Sequence, residues 1–225
     1  MGKRNETLDV LKGFACLAVV ILHCPFPTKL GSVLSIYTRF AVPLFFVISG
    51  YFCKFSFNKS DRNKLKKKMA HIQKIFASGI ALYAFVGICI NGGIVLNRIT
   101  PTEIFELIFL NAIPKSIFPY GGHLWFLLAL LYCYPIYYIL NRVFRGSASL
   151  YGCAAVVIVI RYVFAILIEN QFVPGKECYY TNVWLTGLPF FVMGACIRET
   201  KLLDPLIKSR LLNGAFLCGG GLSAP

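Results

Sequence analysis

Acidic residues are scarce in this chain. Nine Asp and Glu stand against 23 Lys and Arg, a formal charge of +14, and charged residues of both signs make up only 14% of the 225. That excludes an ordinary soluble domain: with 57% apolar residues and a mean hydropathy of +0.69, the composition is that of an integral membrane protein. A basic excess by itself points to nucleic acid or to an anionic membrane surface. Here the basic residues lie between apolar runs, which decides for the membrane.

Metal-site spacings are missing as well. The nine cysteines are dispersed, with no C-x-x-C and no Cys/His spacing for zinc or an iron–sulfur cluster, so no metal is expected and most read as small helix residues. Cys24 and Cys178 fall in outer loops and could pair. No small-residue A-x-A site follows the first apolar run, which argues against a cleaved signal peptide. Asn5-Glu6-Thr7 and Asn58-Lys59-Ser60 match the glycosylation pattern but fall on the side assigned below to the cytoplasm.

What is present is a series of apolar stretches of bilayer length, near 8–24, 33–53, 75–96, 123–140, 148–168, 180–197 and 211–222. The expected fold is an all-α polytopic transmembrane bundle of about seven spans. Thr100 to Asn111, opened by Thr-Pro, reads as an interfacial amphipathic helix. The last run is short, contains Gly219-Gly220-Gly221 and stops at Pro225. Residues 1–225 are therefore expected to be one membrane-embedded domain, a fragment whose C-terminal helices are missing. With the N-terminus inside, 16 Lys and Arg fall in cytoplasmic segments and four in outer loops, a strong positive-inside bias. The densest basic run, Lys54 to Lys74, is expected to be a cytoplasmic loop. It reads either as a topology anchor on anionic lipid or as a phosphate-binding lip, and the two are compatible.

Ionisable residues inside apolar spans carry the functional argument, since Lys or Arg at mid-bilayer costs roughly 2.5–3.5 kcal/mol even on insertion scales. Lys12 and His23 are eleven residues apart in the first span, about three helical turns, so they share a face roughly 16 Å long. Asp9 can neutralise Lys12 at i,i+3, or the lysine can snorkel. His23, near the outer helix end, has no acid within a turn; it is either an interfacial imidazole or a general base for an acceptor hydroxyl. Arg39 needs an anionic partner, with Glu169, Glu177 or substrate as candidates, while Arg161 and Glu169 can compensate each other. Ser49-Gly50 reads as close helix packing or as a participating serine, and His123 as interfacial or as part of an acceptor pocket.

Three further stretches join the first: Leu8-Asp9-x-Leu11-Lys12-Gly13 leading to His23, Phe45-Phe46-x-x-Ser49-Gly50-Tyr51-Phe52, His123-Leu124-Trp125 opening a later span, and Leu188-Pro189-Phe190-Phe191 opening another. Together they resemble the membrane acyltransferase type 3 family over nearly the whole chain. The family pattern Arg-x10-His is here Lys12-x10-His23, which keeps the charge and loses the guanidinium fork. Its Arg-x-x-Arg has a loose counterpart in His71-x-x-Lys74.

The resemblance implies transfer of an acyl group, commonly acetyl, from cytosolic acyl-CoA as cosubstrate to a hydroxyl of a carbohydrate or lipid-linked acceptor. The setting is the bacterial cytoplasmic membrane, with no bound cofactor and no nucleic acid. It implies catalytic roles for His23 and Lys12 and substrate contacts at Arg39, Ser49, Tyr51, His123 and Trp125. Lys67, Lys68, His71 and Lys74 are expected to meet the acyl-CoA phosphates. Competing readings are a transporter or flippase for a polysaccharide intermediate, against which the lack of an internal repeat speaks, and the membrane module of a fused racemase-type or sensing protein.

Overall fold

Proline and the basic stretches decide where the apolar runs become separate helices. The computed structural model describes residues 6–24, 27, 29–53, 59–91, 100–114, 118, 121–144 and 148–201, and the expected run at 211–222 lies outside them. Among the described residues there are eight α-helices and no strand: α1 (Glu6–His23), α2 (Lys29–Thr38), α3 (Ala41–Tyr51), α4 (Lys59–Asn91), α5 (Pro101–Leu110), α6 (Trp125–Phe144), α7 (Ala148–Glu169) and α8 (Leu188–Glu199). Four segments among them are long and apolar enough to cross a membrane: Val33–Tyr51, Arg62–Cys89, Gly122–Phe144 and Ala148–Glu169. Val10–His23 is a shorter apolar helix.

Two expectations are corrected. The second span is not one continuous helix but α2 and α3, separated at Arg39–Phe40, where Pro43 has no N–H to give and its ring collides with the carbonyl four residues back. From Lys59 on the basic stretch is no loop, for α4 is already helical there and runs 33 residues. Lys, Arg, Met and Ala are good helix formers, and no Gly or Pro interrupts 59–78. At about 50 Å, α4 outruns the ~30 Å hydrocarbon layer, so its basic first half extends beyond it. Cys24 and Cys178, whose pairing the sequence left open, are free thiols.

The expected amphipathic segment is α5, started by a capping box in which Thr100 Oγ1 accepts from the Glu103 amide and the Glu103 carboxylate accepts from the Thr100 amide. Its far end stops at Asn111, whose φ of 58° is left-handed. Asn111 Oδ1 accepts the Val183 amide at 3.2 Å, while Asn182 Oδ1 caps Trp184 and Leu185. These bonds hold a π-helical turn, Val183–Gly187, against α5 and start α8, which has Pro189 in its first turn.

The centre of the molecule is the contact of α3 with α8. A Cβ built on Gly50 would sit 1.9 Å from the Phe191 carbonyl oxygen, and one on Gly194 2.0 Å from that of Val47. Only glycine lets these two backbones approach so closely. Phe191 then packs edge-on to Tyr134 of α6 at 5.1 Å, Phe46 meets Phe126 at 4.8 Å, and Ile72 of α4 joins the same core. On its other side α3 receives α1, where Ala15 and Ala18 pack on Ala41. Gly50→Ala or Gly194→Ala is expected to destabilise the bundle by about 3 kcal/mol, since backbone rather than side-chain tips must move. Thermal unfolding of each variant in detergent should show it, and the double variant should cost less than the sum because both act on one contact.

Candidate active site

Helix α1 keeps one face for the protein. Phe14, Leu17 and Val20 are 60–64% exposed, whereas Ala15 and Ala18 are buried and Val19 is half-buried against α3. Lys12 and His23 lie along the packed side, at opposite ends. His23 belongs to the last turn of α1 and is exposed on a cavity of about 620 Å³. A 3-10 turn, Gly122–Leu124, brings His123 to the same cavity, with the two imidazole centroids 5.3 Å apart. Tyr83 of α4 fixes the second ring: its hydroxyl is hydrogen-bonded to His123 Nε2 at 2.9 Å, with the rings edge to face. Trp125 also lines the cavity.

The opposite wall comes from α5 and the segment before the π-turn. Glu106 is 7% exposed and points away from the outward apolar side of α5, formed by Ile104, Phe105, Ile108 and Phe109. Lys176 Nζ donates to Glu106 Oε1 at 2.6 Å. This bond raises the ammonium pKa above its ordinary value. Burial pushes the neighbouring Cys178 thiol up. Glu103, Glu177 and Thr181 complete the wall. Among the described residues no group of three or more His, Cys, Asp and Glu is arranged for a metal ion.

At the Lys12 end, Lys12 Nζ lies 4.6 Å from the Phe52 ring centroid, and Lys68 Nζ 5.3 Å from that of Tyr134. Arg198 of α8 donates to the Tyr51 carbonyl at 2.9 Å, satisfying an orphan acceptor at the end of α3. Lys12 and Arg198 both act electrostatically on Lys68. Lys67, His71 and Lys74 occupy an exposed side of α4, about 100° round from Lys68, which shares its side with buried Ile72.

The residues singled out in the sequence thus divide. His23, His123 and Trp125 meet in one cavity; Lys12, Tyr51 and Lys68 gather at the other end. Ser49 lies next to Gly50 on α3 and acts on Tyr134 of the core. Arg39 is not part of the cavity lining: its Nη1 donates to Glu169 Oε1 at 2.5 Å. Glu169 is therefore hydrogen-bonded to Arg39, and its charge acts on Arg161 as well. Tyr83, Glu106 and Lys176 were not anticipated. Glu106 had a readable signal, an acid on the polar side of an amphipathic helix, whereas nothing local distinguishes Tyr83 among twelve tyrosines.

The sequence pattern of the acyltransferase 3 family, described as an acyltransferase domain, matches residues 5–225. The chain belongs to this family. No curated protein and no solved structure matches it. As an acyltransferase 3 protein with several apolar helices, it is a membrane protein of an acyltransferase family.

The Glu106–Lys176 bond has a chemical signature. Its raised pKa means the tie is intact below the ordinary lysine value and is lost only as pH rises through the higher one. At pH 9 Lys176, although 59% exposed, should react with an amine acylating reagent several-fold more slowly than exposed Lys67. Glu106→Gln should remove that protection, as peptide mass spectrometry would read.

Proposed function

We propose that this protein transfers an acyl group, acetyl in the simplest case, from cytosolic acyl-CoA to a hydroxyl of a cell-surface carbohydrate or lipid-linked acceptor in the bacterial cytoplasmic membrane. Its N-terminus lies in the cytoplasm. The single observation that carries the reading is the imidazole pair in a 620 Å³ cavity at one end of α1, with cations gathered at the other end of the same helix.

The donor enters at the Lys12 end, where Lys68, Arg198 and Lys12 come from three helices and face its phosphates. Lys67, His71 and Lys74 widen that basic approach. The thin pantetheine arm follows the packed side of α1, roughly 16 Å at 1.5 Å per residue, and delivers the thioester beside His23. The acceptor occupies the cavity, with Trp125 as an apolar platform.

His23 takes the hydroxyl proton as the acceptor oxygen attacks the thioester carbonyl. The C–O ester bond forms, the C–S bond breaks, and the departing thiolate takes the proton from the imidazolium. His123, held by Tyr83, borders the carbonyl oxygen and can donate to it as negative charge develops. Tyr51 and Ser49 shape the route between the two ends, and Arg39 lies outside the cavity, paired with Glu169.

Membranes containing the protein, incubated with radiolabelled acetyl-CoA, should pass label to a cell-envelope fraction. His23→Ala should lower that transfer by about 10²–10⁴-fold, the usual contribution of a positioned base, while the protein still inserts. Retained transfer in the variant would exclude His23 as the base.

A further inference from the structure

Arg161 stands apart from the cavity and from the cations near Lys12. It lies eight residues before Glu169 in α7, about 12 Å along the axis. Its guanidinium carbon is 4.5 Å from the Tyr162 ring centroid and 5.8 Å from that of Tyr180, and its Nε donates to Thr186 Oγ1 at 3.2 Å. That acceptor is neutral. The acid that could neutralise Arg161 is engaged, for Glu169 Oε1 receives both Arg39 Nη1 at 2.5 Å and the Tyr180 hydroxyl at 2.9 Å. The charges acting on Arg161 are those of Glu169 and Arg39, so the cluster holds two cations and one anion. Among the described residues the Arg161 Nη groups have no hydrogen-bond acceptor.

An excess positive charge on a membrane helix is costly and calls for a partner. The surroundings of Arg161 say of what kind. Tyr162, whose ring the guanidinium faces, is 48% exposed, and Trp184 on the adjoining π-turn is 47% exposed. α7 is an apolar span with little of its length buried, so a ligand that reaches the guanidinium past these two rings comes from the lipid and is anionic at its head.

We propose that Arg161, with Arg39 beside it, binds the phosphate of an anionic glycerophospholipid at the junction of α7, Tyr180 and the π-turn. The paired N–H groups of a guanidinium match phosphate oxygens, and a single negative headgroup balances the cluster. A zwitterionic lipid brings its own cation and gains less. The site is independent of the transfer reaction and is tested without it.

The chain contains two tryptophans, so Trp125→Phe leaves Trp184, two residues from Thr186, as the fluorescent reporter. The purified full chain is reconstituted into phosphatidylcholine vesicles containing brominated phosphatidylglycerol or brominated phosphatidylcholine. Brominated phosphatidylglycerol should quench Trp184 at several-fold lower mole fraction. Arg161→Gln should abolish this preference with helix content unchanged by circular dichroism, and Arg161→Lys should retain part of it. Should Arg161→Gln fail to fold, the two lipids compared on the Trp125→Phe chain and on Arg161→Lys still decide. Identical quenching by both lipids, or a preference that survives in folded Arg161→Gln, would overturn the proposal. Recovery of fluorescence on adding inorganic phosphate would assign the site to a soluble anion and overturn it equally.

Discussion

Two backbones in direct contact set the frame of this protein. Gly50 and Gly194 bring α3 and α8 together at a separation that no side chain tolerates, and three consequences follow. Phe191 enters the space between Tyr134 and Tyr137 and recruits α6. Arg198 comes within reach of the Tyr51 carbonyl and caps α3. The outer flank of α3 is left to α1, which docks there through alanines. In lipid, where apolar surfaces gain little from association alone, such close packing and interhelical hydrogen bonds supply what the hydrophobic effect supplies in water. The Arg198 cap is therefore part of the same framework as the glycines.

The docking of α1 explains how a lysine and a histidine fit in one apolar helix. Placed on the side of Phe14 and Leu17, either would meet acyl chains. Placed on the side of Ala15, Lys12 gains an aromatic face at Phe52, and His23 gains a cavity with an imidazole and a tyrosine. The cavity wall holding Glu106 is assembled from much more distant chain. Asn111 and Asn182 each cap the π-turn, which sets the angle at which α5 presents its acid. Asn111 Nδ2 is buried without a hydrogen-bond partner among the described residues, a local cost borne by that junction.

Much of the fold was legible in the sequence because membrane helices announce themselves by length and apolarity. α7 and α6 fall where the apolar runs at 148–168 and 123–140 placed them, and the capping box of α5 is written in Thr100-Pro101-x-Glu103. The break at Arg39 was equally written, in Pro43, but the surrounding apolar residues mask it in any reading based on hydropathy. The helical state of Lys59 to Lys74 was hidden by the opposite error, since dense charge reads as loop although lysine itself favours helix. For the site, the spacing of Lys12 and His23 placed both on the protein-facing side of α1. Their partners could not be read, because Tyr83 and Lys176 reach the cavity through tertiary contacts 40 and 70 residues long.

The phase of α4 carries the remaining step. Residues 65, 69 and 72 of this helix pack on the core, and Lys68 lies in the same sector, so its ammonium reaches the Tyr134 ring while the side chain stays exposed. Lys67 is one residue and 100° away and stays exposed. A basic run that looks uniform in sequence is therefore divided by helical geometry into a solvated side and one cation turned toward the end of α3. Arg198 arrives there from α8 and Lys12 from α1, which brings like charges from three helices to one place. Their mutual repulsion is resisted by the glycine contact and the aromatic core, and an entering anion would relax it. The packing that holds α3 against α8 thus also holds the positive charge at one end of α1 and the histidine pair at the other.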